Sequence, residues 1–337
     1  MQPAPHLFAG RQTLVLAMPD VKQVLSVAEA IALQRLAFEA HAQGTAWNAP
    51  NTWVQVRPQR GWMKVLAGYV ERPGALGLKV VARYPQHPPG QNMGGLCILF
   101  DPTCGFPLAI FDSVYLTAVR TGAGGGLATQ WCARPDARTV GILGTGVLAR
   151  YTLLAICAVL PQVERTWVYS RQPARRAAYA QAMTVATDRP CMAVETPQAA
   201  VADADIIVTA TNAPTPVLLR EWIRPGTHIN AMGIKTELHP GVFPGARVYG
   251  DAVDVATTEG KFSTAIQAGT VQASEIAGEL GDVLLGRKPG RVTAEEVTIF
   301  DSDGLAVQDV ICAQYVYEQA RAHQLGTYVD FGLADVP

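Results

Sequence analysis

The 337-residue chain reads as an α/β protein in two parts, and three observations lead there. The first is Gly141-Ile142-Leu143-Gly144-Thr145-Gly146-Val147-Leu148-Ala149-Arg150, where a β-rich run turns through two glycines into an apolar, helix-compatible run reaching Leu160. The second is the alternation of strand-like and helix-like segments from Arg138 onward, which implies a mostly parallel sheet. The third is a different pattern before it, a helix followed by consecutive strand-like runs, which reads as an antiparallel sheet.

Composition narrows the class. Hydrophobic residues make up 49% and charged residues 16%, so the chain is expected to be globular, not disordered. A net charge of −1 argues against a general nucleic-acid binder. The apolar run Leu153–Leu160 is too short to span a bilayer, and the first residues lack a charged segment followed by an apolar one. The expectation is a cytoplasmic protein with no membrane partner. The six cysteines form no Cys-x-x-Cys pair and no His cluster accompanies them, so they are expected to be buried thiols and no metal site is expected.

In chain order, Leu14–Ala17 is a short strand and Asp20–Gly44 one amphipathic helix, with Val24, Leu25, Ala28, Ile31, Leu36 and Phe38 near helical spacing. Thr52–Val56, Trp62–Val70 and Leu76–Tyr84 read as strands; Leu96–Phe100 and Pro107–Phe111 read as a pair joined by the turn Asp101–Gly105. Ser113–Ala133 reads as a long helix whose Ala123, Gly124, Gly125 and Gly126 permit close backbone approach, at about 1 kcal/mol of helix propensity per exposed glycine. Strands then follow at Arg138–Leu143, Thr166–Tyr169, Ala193–Thr196, Ile206–Ala210, Thr227–Ala231, Arg247–Tyr249 and Val297–Phe300. A helix is expected over Pro173–Met183, and a final one over Gln308–His323 with Ser302 or Asp303 as its N-cap.

The Gly144-Thr145-Gly146 turn, with Val147 and Leu148 opening the helix, has the G-x-G-x-x-A form of a dinucleotide-binding turn in a Rossmann-type unit. Gly144 makes the tight turn, Gly146 lets the backbone approach a pyrophosphate, and Ala149 lets the helix pack on the sheet. The second strand ends Val168-Tyr169-Ser170-Arg171 without the acid that binds the ribose hydroxyls of NAD. Arg171, helped by Ser170, Arg175 or Arg176, suits a 2′-phosphate, so NADP is favoured over NAD. Thr211 and Asn212 follow a buried strand at the sheet's carboxyl edge and are candidates for ribose or nicotinamide contact.

Five motifs in order then carry a resemblance. Gly77-Leu78-Lys79-Val80-Val81, Leu116-Thr117-Ala118-Val119-Arg120-Thr121, Gly144-Thr145-Gly146, Ile229-Asn230-Ala231-Met232-Gly233 and Phe300–Asp309 resemble the ornithine cyclodeaminase/mu-crystallin family over residues 20 to 325. The resemblance implies a Rossmann domain (123–308) inserted into an α/β substrate and dimerisation domain (1–122), with the C-terminal helix segment (309–337) returning to the first. It also implies a homodimer and hydride transfer between a nicotinamide and the Cα of an amino or imino acid. By the same resemblance Lys79 is the active-site lysine, Arg120 holds the substrate carboxylate, and Thr121, Met232 and Gly233 lie against the cofactor. Asp301, near the nicotinamide, joins Lys79 or a water in the proton inventory.

Two departures from the family pattern matter. Pro50-Asn51-Thr52 stands where many members have Pro-Arg-Thr, leaving Arg57 or Arg60 as substitutes in substrate binding. The aspartate that follows the Asn-Ala-Val-Gly stretch in many members is missing, because Gly233 is followed by Ile234-Lys235-Thr236-Glu237-Leu238-His239-Pro240. A cyclodeaminase must oxidise an amine and expel ammonia, which needs a base; reduction of a protonated imine needs less. The expected activity is therefore NAD(P)H-dependent reduction of an α-imino acid to an L-amino acid, from a cyclic ketimine or an open-chain imine such as iminosuccinate or iminopropionate. Two alternatives stay open: a cyclodeaminase that recycles NAD, and a non-enzymatic binder of NADPH and a small carboxylate.

Overall fold

The structure, a computed structural model, describes residue 8, residues 10–88 and residues 90–333. The chain runs β1 Thr13–Leu16, α1 Met18–Val24, α2 Val27–Gln43, β2 Ala46–Asn48, β3 Thr52–Val56, β4 Gly61–Val70, β5 Ala75–Arg83, β6 Met93–Phe100, β7 Pro107–Asp112 and α3 Val114–Cys132. It continues β8 Thr139–Leu143, α4 Val147–Val159, β9 Arg165–Tyr169, α5 Pro173–Thr187, β10 Cys191–Ala193, α6 Pro197–Val201, β11 Ile206–Thr209, β12 His228–Ala231 and β13 Arg247–Gly250. The remaining elements are α7 Val253–Thr258, α8 Phe262–Gln267, β14 Gly278–Glu279, α9 Leu280–Leu284, β15 Thr298–Asp301, α10 Ala306–Ala322 and β16 Thr327–Val329. Two compact units form. One takes the described residues as far as Leu33, Gln43–Thr117, and the chain from Leu305; the other takes Gln34–Ala42 and Ala118–Gly304.

The first unit is a mixed sheet in the order β16-β1-β7-β6-β5-β4-β2, with β3 also paired to β4. Its neighbours are antiparallel except β1 and β7. The helix expected over Asp20–Gly44 is two helices. Leu25 leaves α1 in an extended conformation, and Ser26 opens α2: its hydroxyl accepts the Glu29 N–H (3.3 Å) while the Glu29 carboxylate accepts the Ser26 N–H (2.7 Å). That capping box outweighs the continuous apolar periodicity. At the last helix, Leu305 is the N-cap, not Ser302 or Asp303. The Leu305 N–H is taken by Gln308 Oε1 (3.0 Å) and the Val307 N–H by Asn48 Oδ1 (3.0 Å), so neighbouring side chains satisfy the first turn.

The second unit is a parallel sheet in the order β10-β9-β8-β11-β12-β15-β13-β14. The strand expected over Ala193–Thr196 lies earlier, at Cys191–Ala193, because the Thr196 hydroxyl accepts the Ala199 N–H and caps α6 instead. Leu143, Ile207, Ile229, Val248 and Ile299 bring the central strands into one buried cluster. The small residues of α3 serve close packing: a Cβ on Gly126 would stand 2.6 Å from Ala155 Cβ, so α3 and α4 meet nearly backbone to backbone. Of the six cysteines, all free, Cys97, Cys132, Cys191 and Cys312 are buried, whereas Cys104 and Cys157 are only partly so. No helix among the described residues is long and apolar enough to cross a membrane.

Candidate functional site

Strand order reverses between β8 and β11, and in an open parallel sheet the crevice at the carboxyl ends of such strands is where ligands bind. Gly144 and Gly146 follow β8 and differ in what they require. Gly144 has φ +113°, and a Cβ there would stand 2.5 Å from the Ala210 carbonyl oxygen, so the turn itself demands glycine. Gly146 has ordinary backbone angles and a Cβ there would meet nothing within 4 Å. The fold does not need glycine at 146, and open space lies outside it. Gly146 is also the N-cap of α4 with no side-chain cap, so the helix's first N–H groups face that space. This bare cradle fits the pyrophosphate of a dinucleotide. Val147 is exposed, and Thr145 and Leu148 are half-buried beside it.

Thr211, Asn212, Met232 and Gly233 follow β11 and β12, on the same edge of the sheet. A residue that sequence reasoning gave no role ties them together. The Glu237 carboxylate, fully buried, accepts from the Thr209 hydroxyl (2.7 Å), the Thr211 N–H (3.0 Å) and the Gly233 N–H (2.6 Å). Burial pushes its pKa above the ordinary carboxylate value, against the pull of Lys261 and these donors. Glu237 thus clamps both crevice loops. A glutamate four residues past a β-strand turn gives little hint of this from sequence. Met232 is buried, and its sulfur lies 3.2 Å from where a Gly125 Cβ would be. Past β9, Arg171 and Arg175 are exposed and Ser170 is half-buried. Arg176 is occupied elsewhere, donating to the Ser170 carbonyl (3.2 Å) and to Glu195 (2.7 Å).

Asp301 ends β15 and has no exposed surface. Its Oδ2 accepts the Phe262 N–H (2.8 Å), and its Oδ1 lies 3.2 Å from the Lys261 ammonium. Lys261, equally buried, also donates to the Ser302 carbonyl (2.8 Å) and lies 3.4 Å from Asp303 Oδ1. Asp251 accepts the N–H groups of Asp303 and Gly304 from the other side. Burial and the neighbouring Asp301 charge push the Asp303 carboxyl up to about 7, with Lys261 opposing. For Lys261 burial works against the charge, but Asp303 and Asp301 outweigh it and hold the ammonium protonated. This lattice fixes residues 301–304. Gly304 (φ +83°) ends it, and a Cβ there would stand 3.1 Å from both terminal nitrogens of Arg120. Arg120 and Thr121 are nearly buried on α3. The structure therefore brings Arg120 to the Asp301–Gly304 loop.

In the first unit, Lys79 sits on β5 and is 3% exposed. Its ammonium is 2.6 Å from Asp309 Oδ2 on the first turns of α10, itself buried. Strand alternation left the face of Lys79 open; the pairing with α10 closes that question. Arg57 opens a single 3-10 turn between β3 and β4 and is exposed, off the strand face that carries Lys79.

A cavity of about 790 Å³ elsewhere in the second unit is lined by Trp131, Arg134, Leu160, Pro225, Arg291 and Glu295. Those residues lead into the amino ends of the strands, opposite the crevice edge, and its arginines are engaged: Arg134 by Asp136 and Asp205, Arg291 by the carbonyls of Cys132 and Glu296. It is not the dinucleotide crevice.

A reversed parallel sheet with a bare glycine cradle defines a dinucleotide-binding class of protein, and the second, mixed sheet narrows it. The model of the ornithine cyclodeaminase/mu-crystallin family matches residues 11–324, and the chain belongs to that family. It is similar to the Thermococcus litoralis Delta(1)-pyrroline-2-carboxylate reductase solved with NADH and L-proline (33% identity, TM-score 0.90, covering 94% of this chain and 100% of that one). It is also similar to an archaeal alanine dehydrogenase dimer with bound NAD (30%, 0.88, 95% and 100%). A third likeness is to the iminosuccinate reductase of Paracoccus denitrificans with NAD+ (29%, 0.87, 95% and 100%).

Proposed function

We propose that the chain is an NAD(P)H-dependent reductase of α-imino acids that yields L-amino acids. The observation that carries this reading is the state of Glu237. It is the acid of the loop that follows Asn230-Ala231-Met232-Gly233, and its carboxylate is buried and bonded by Thr209, Thr211 and Gly233. It is held as a clamp and does not face substrate as a base, which favours reduction of a ready-made imine over deamination of an amine. Two solved relatives are named as imine reductases.

When bound, a reduced nicotinamide would supply the hydride that imine reduction requires, with a proton taken up at the nitrogen. Within the chain, Arg120 grips the substrate carboxylate with two parallel bonds, its guanidinium held against Gly304. Lys79, paired with Asp309, serves the imino acid as a cation and proton carrier. Asp301, fully enclosed by Lys261 and the Phe262 amide, acts by fixing the 301–304 loop. The α4 start at Gly144–Leu148 would hold the pyrophosphate, and Thr121, Thr211, Asn212, Met232 and Gly233 would hold the remainder of the cofactor. Exposed Arg171 and Arg175 beside Ser170 favour the 2′-phosphate of NADP.

The outer face of the first sheet supports a homodimer. Opposite the Lys79 face, the cross-strand rows Val65–Val80–Leu96, Ala67–Leu78–Ile98–Ile110 and Tyr69–Leu76–Phe100 make a continuous apolar surface, with Leu96 49% exposed. A monomer mass in sedimentation would overturn that assignment.

The test of function is absorbance at the nicotinamide band with keto acids in ammonium buffer and with preformed cyclic imines, using NADPH and NADH separately. Substrate-dependent oxidation is expected, faster with NADPH, and Lys79→Ala and Arg120→Ala should each cut turnover by about 100-fold or more. Ammonia release from ornithine without net oxidation would replace the reading with cyclodeamination.

A further inference from the structure

The face of the first sheet that carries Lys79 continues past it, and what lies there is basic. Residues opposite one another in an antiparallel pair point to the same face, and alternate residues of a strand share it. Lys79, Val81 and Arg83 therefore share a face on β5; Lys64 stands opposite Val81, Trp62 and Met93 stand opposite Arg83, and Trp53 stands opposite Lys64. Trp53 and Trp62 meet edge to face at 5.1 Å, and the Lys64 ammonium sits 5.0 Å over the Trp53 ring. Lys79 has its countercharge in Asp309. Arg83 has none: among the described residues no hydrogen bond or ion pair engages its guanidinium. No acidic residue occupies this face of β3, β4, β5 or β6.

Arg83 is not a freely solvated side chain. It is only part-exposed, and burial alone lowers its pKa from the ordinary arginine value. A guanidinium that has lost part of its water and gained no anion is costly, and its planar fork matches a carboxylate. Arg83 and Lys79 are four residues apart on one strand, about 13 Å at the usual rise. Val81 alone separates them on that face, and Lys64 stands opposite it.

Resting on the reductase reading, we infer that Arg83, with Lys64 beside it, is the specificity-determining group for a second, side-chain carboxylate, so that the preferred substrate is an α-imino dicarboxylic acid. Such an imine forms from a keto diacid and ammonia with loss of water. Its reduction consumes one hydride and one proton at the C=N bond, and the distal carboxylate takes no part in the bond changes. A monocarboxylic imine would leave Arg83 unanswered.

The experiment compares kcat/KM for NAD(P)H oxidation with oxaloacetate and with pyruvate, each in ammonium buffer, for the wild type, Arg83→Leu and Arg83→Lys. The wild type should favour the diacid by about tenfold or more, the effect of one good charge-assisted pair. Arg83→Leu should lower the diacid-to-monoacid ratio by at least about tenfold, chiefly through KM, and Arg83→Lys should restore part of it. A wild type that prefers pyruvate, or a leucine variant that loses both activities equally, would overturn the inference. Calorimetric titration with L-aspartate and L-alanine separates this from the reductase reading itself. If no imine is reduced, the reductase reading falls. Tighter binding of aspartate that is lost in Arg83→Leu would then still uphold the dicarboxylate site, and equal binding of the two amino acids would sink it.

Discussion

Replacing Asp309 by asparagine keeps the shape of the side chain and removes one charge. Its carboxylate is 2.6 Å from the Lys79 ammonium, with side-chain exposures of 1% and 4%. The variant therefore leaves a buried ammonium facing a neutral amide. Breaking a buried pair on one side costs about 3–5 kcal/mol, because the remaining charge has been taken out of water without compensation. Asparagine opens no cavity, so packing loss does not contribute. Adding Lys79→Met removes the ammonium as well, and the double variant should regain more than half of the loss, about 2 kcal/mol. Urea unfolding followed by tryptophan fluorescence, with midpoint and slope both determined, measures each leg of the cycle. Activity gives a second readout: the double variant should be folded and inactive, since the lysine is gone. A cost below about 1 kcal/mol for Asp309→Asn, or two single losses that simply add, would refute the claim that the pair is electrostatically isolated from water.

Three further outcomes follow from the second unit. Gly146→Ala should change stability by no more than about 0.5 kcal/mol, because a Cβ there meets nothing, yet raise the NAD(P)H dissociation constant by about tenfold or more. Gly144→Ala, at φ +113° and against the Ala210 carbonyl, should instead destabilise the fold by about 1–3 kcal/mol; thermal unfolding and cofactor fluorescence titration separate the two, and unchanged affinity in Gly146→Ala would remove the pyrophosphate from this turn. Asp303 binds its proton more tightly folded (about 7) than unfolded (3.8), so between those values the folded state holds more protons and this group's contribution to stability falls as pH rises. The stability of Asp303→Asn relative to wild type should therefore climb from about pH 4 to about pH 7 and level off above it, and a flat or falling difference would show that the carboxyl is not perturbed in that direction.

The fold was largely legible because its signals are local. The period change near Ser113, the strand–glycine–helix junction at Gly144 and the alternation after Arg138 each occupy a short window, and the parallel sheet carries them in the expected order. The errors were local too. The break at Ser26 and the cap at Thr196 are made by single hydroxyls competing with a longer hydrophobic pattern, and Leu305 caps α10 with partners drawn from Gln308 and Asn48.

The site divides differently. Gly144 reports its own requirement, because the turn at φ +113° needs glycine. A charge inside an apolar run, such as Lys79 between Leu78 and Val80, reports only that a partner must exist, since the ammonium cannot be buried alone. Which partner depends on which face the strand turns inward and what the fold lays across it. Asp309 reaches Lys79 because α10 returns over β5, and Lys261 reaches Asp301 because α8 begins beside the end of β15. Neither pairing leaves a spacing in sequence. The same reasoning separates Arg83 from Arg57, two arginines alike in composition. One lies half out of water on the lysine's face without an anion, and the other stands in an exposed turn. Burial without a partner is what turns a basic residue into a specific expectation about a ligand's charge.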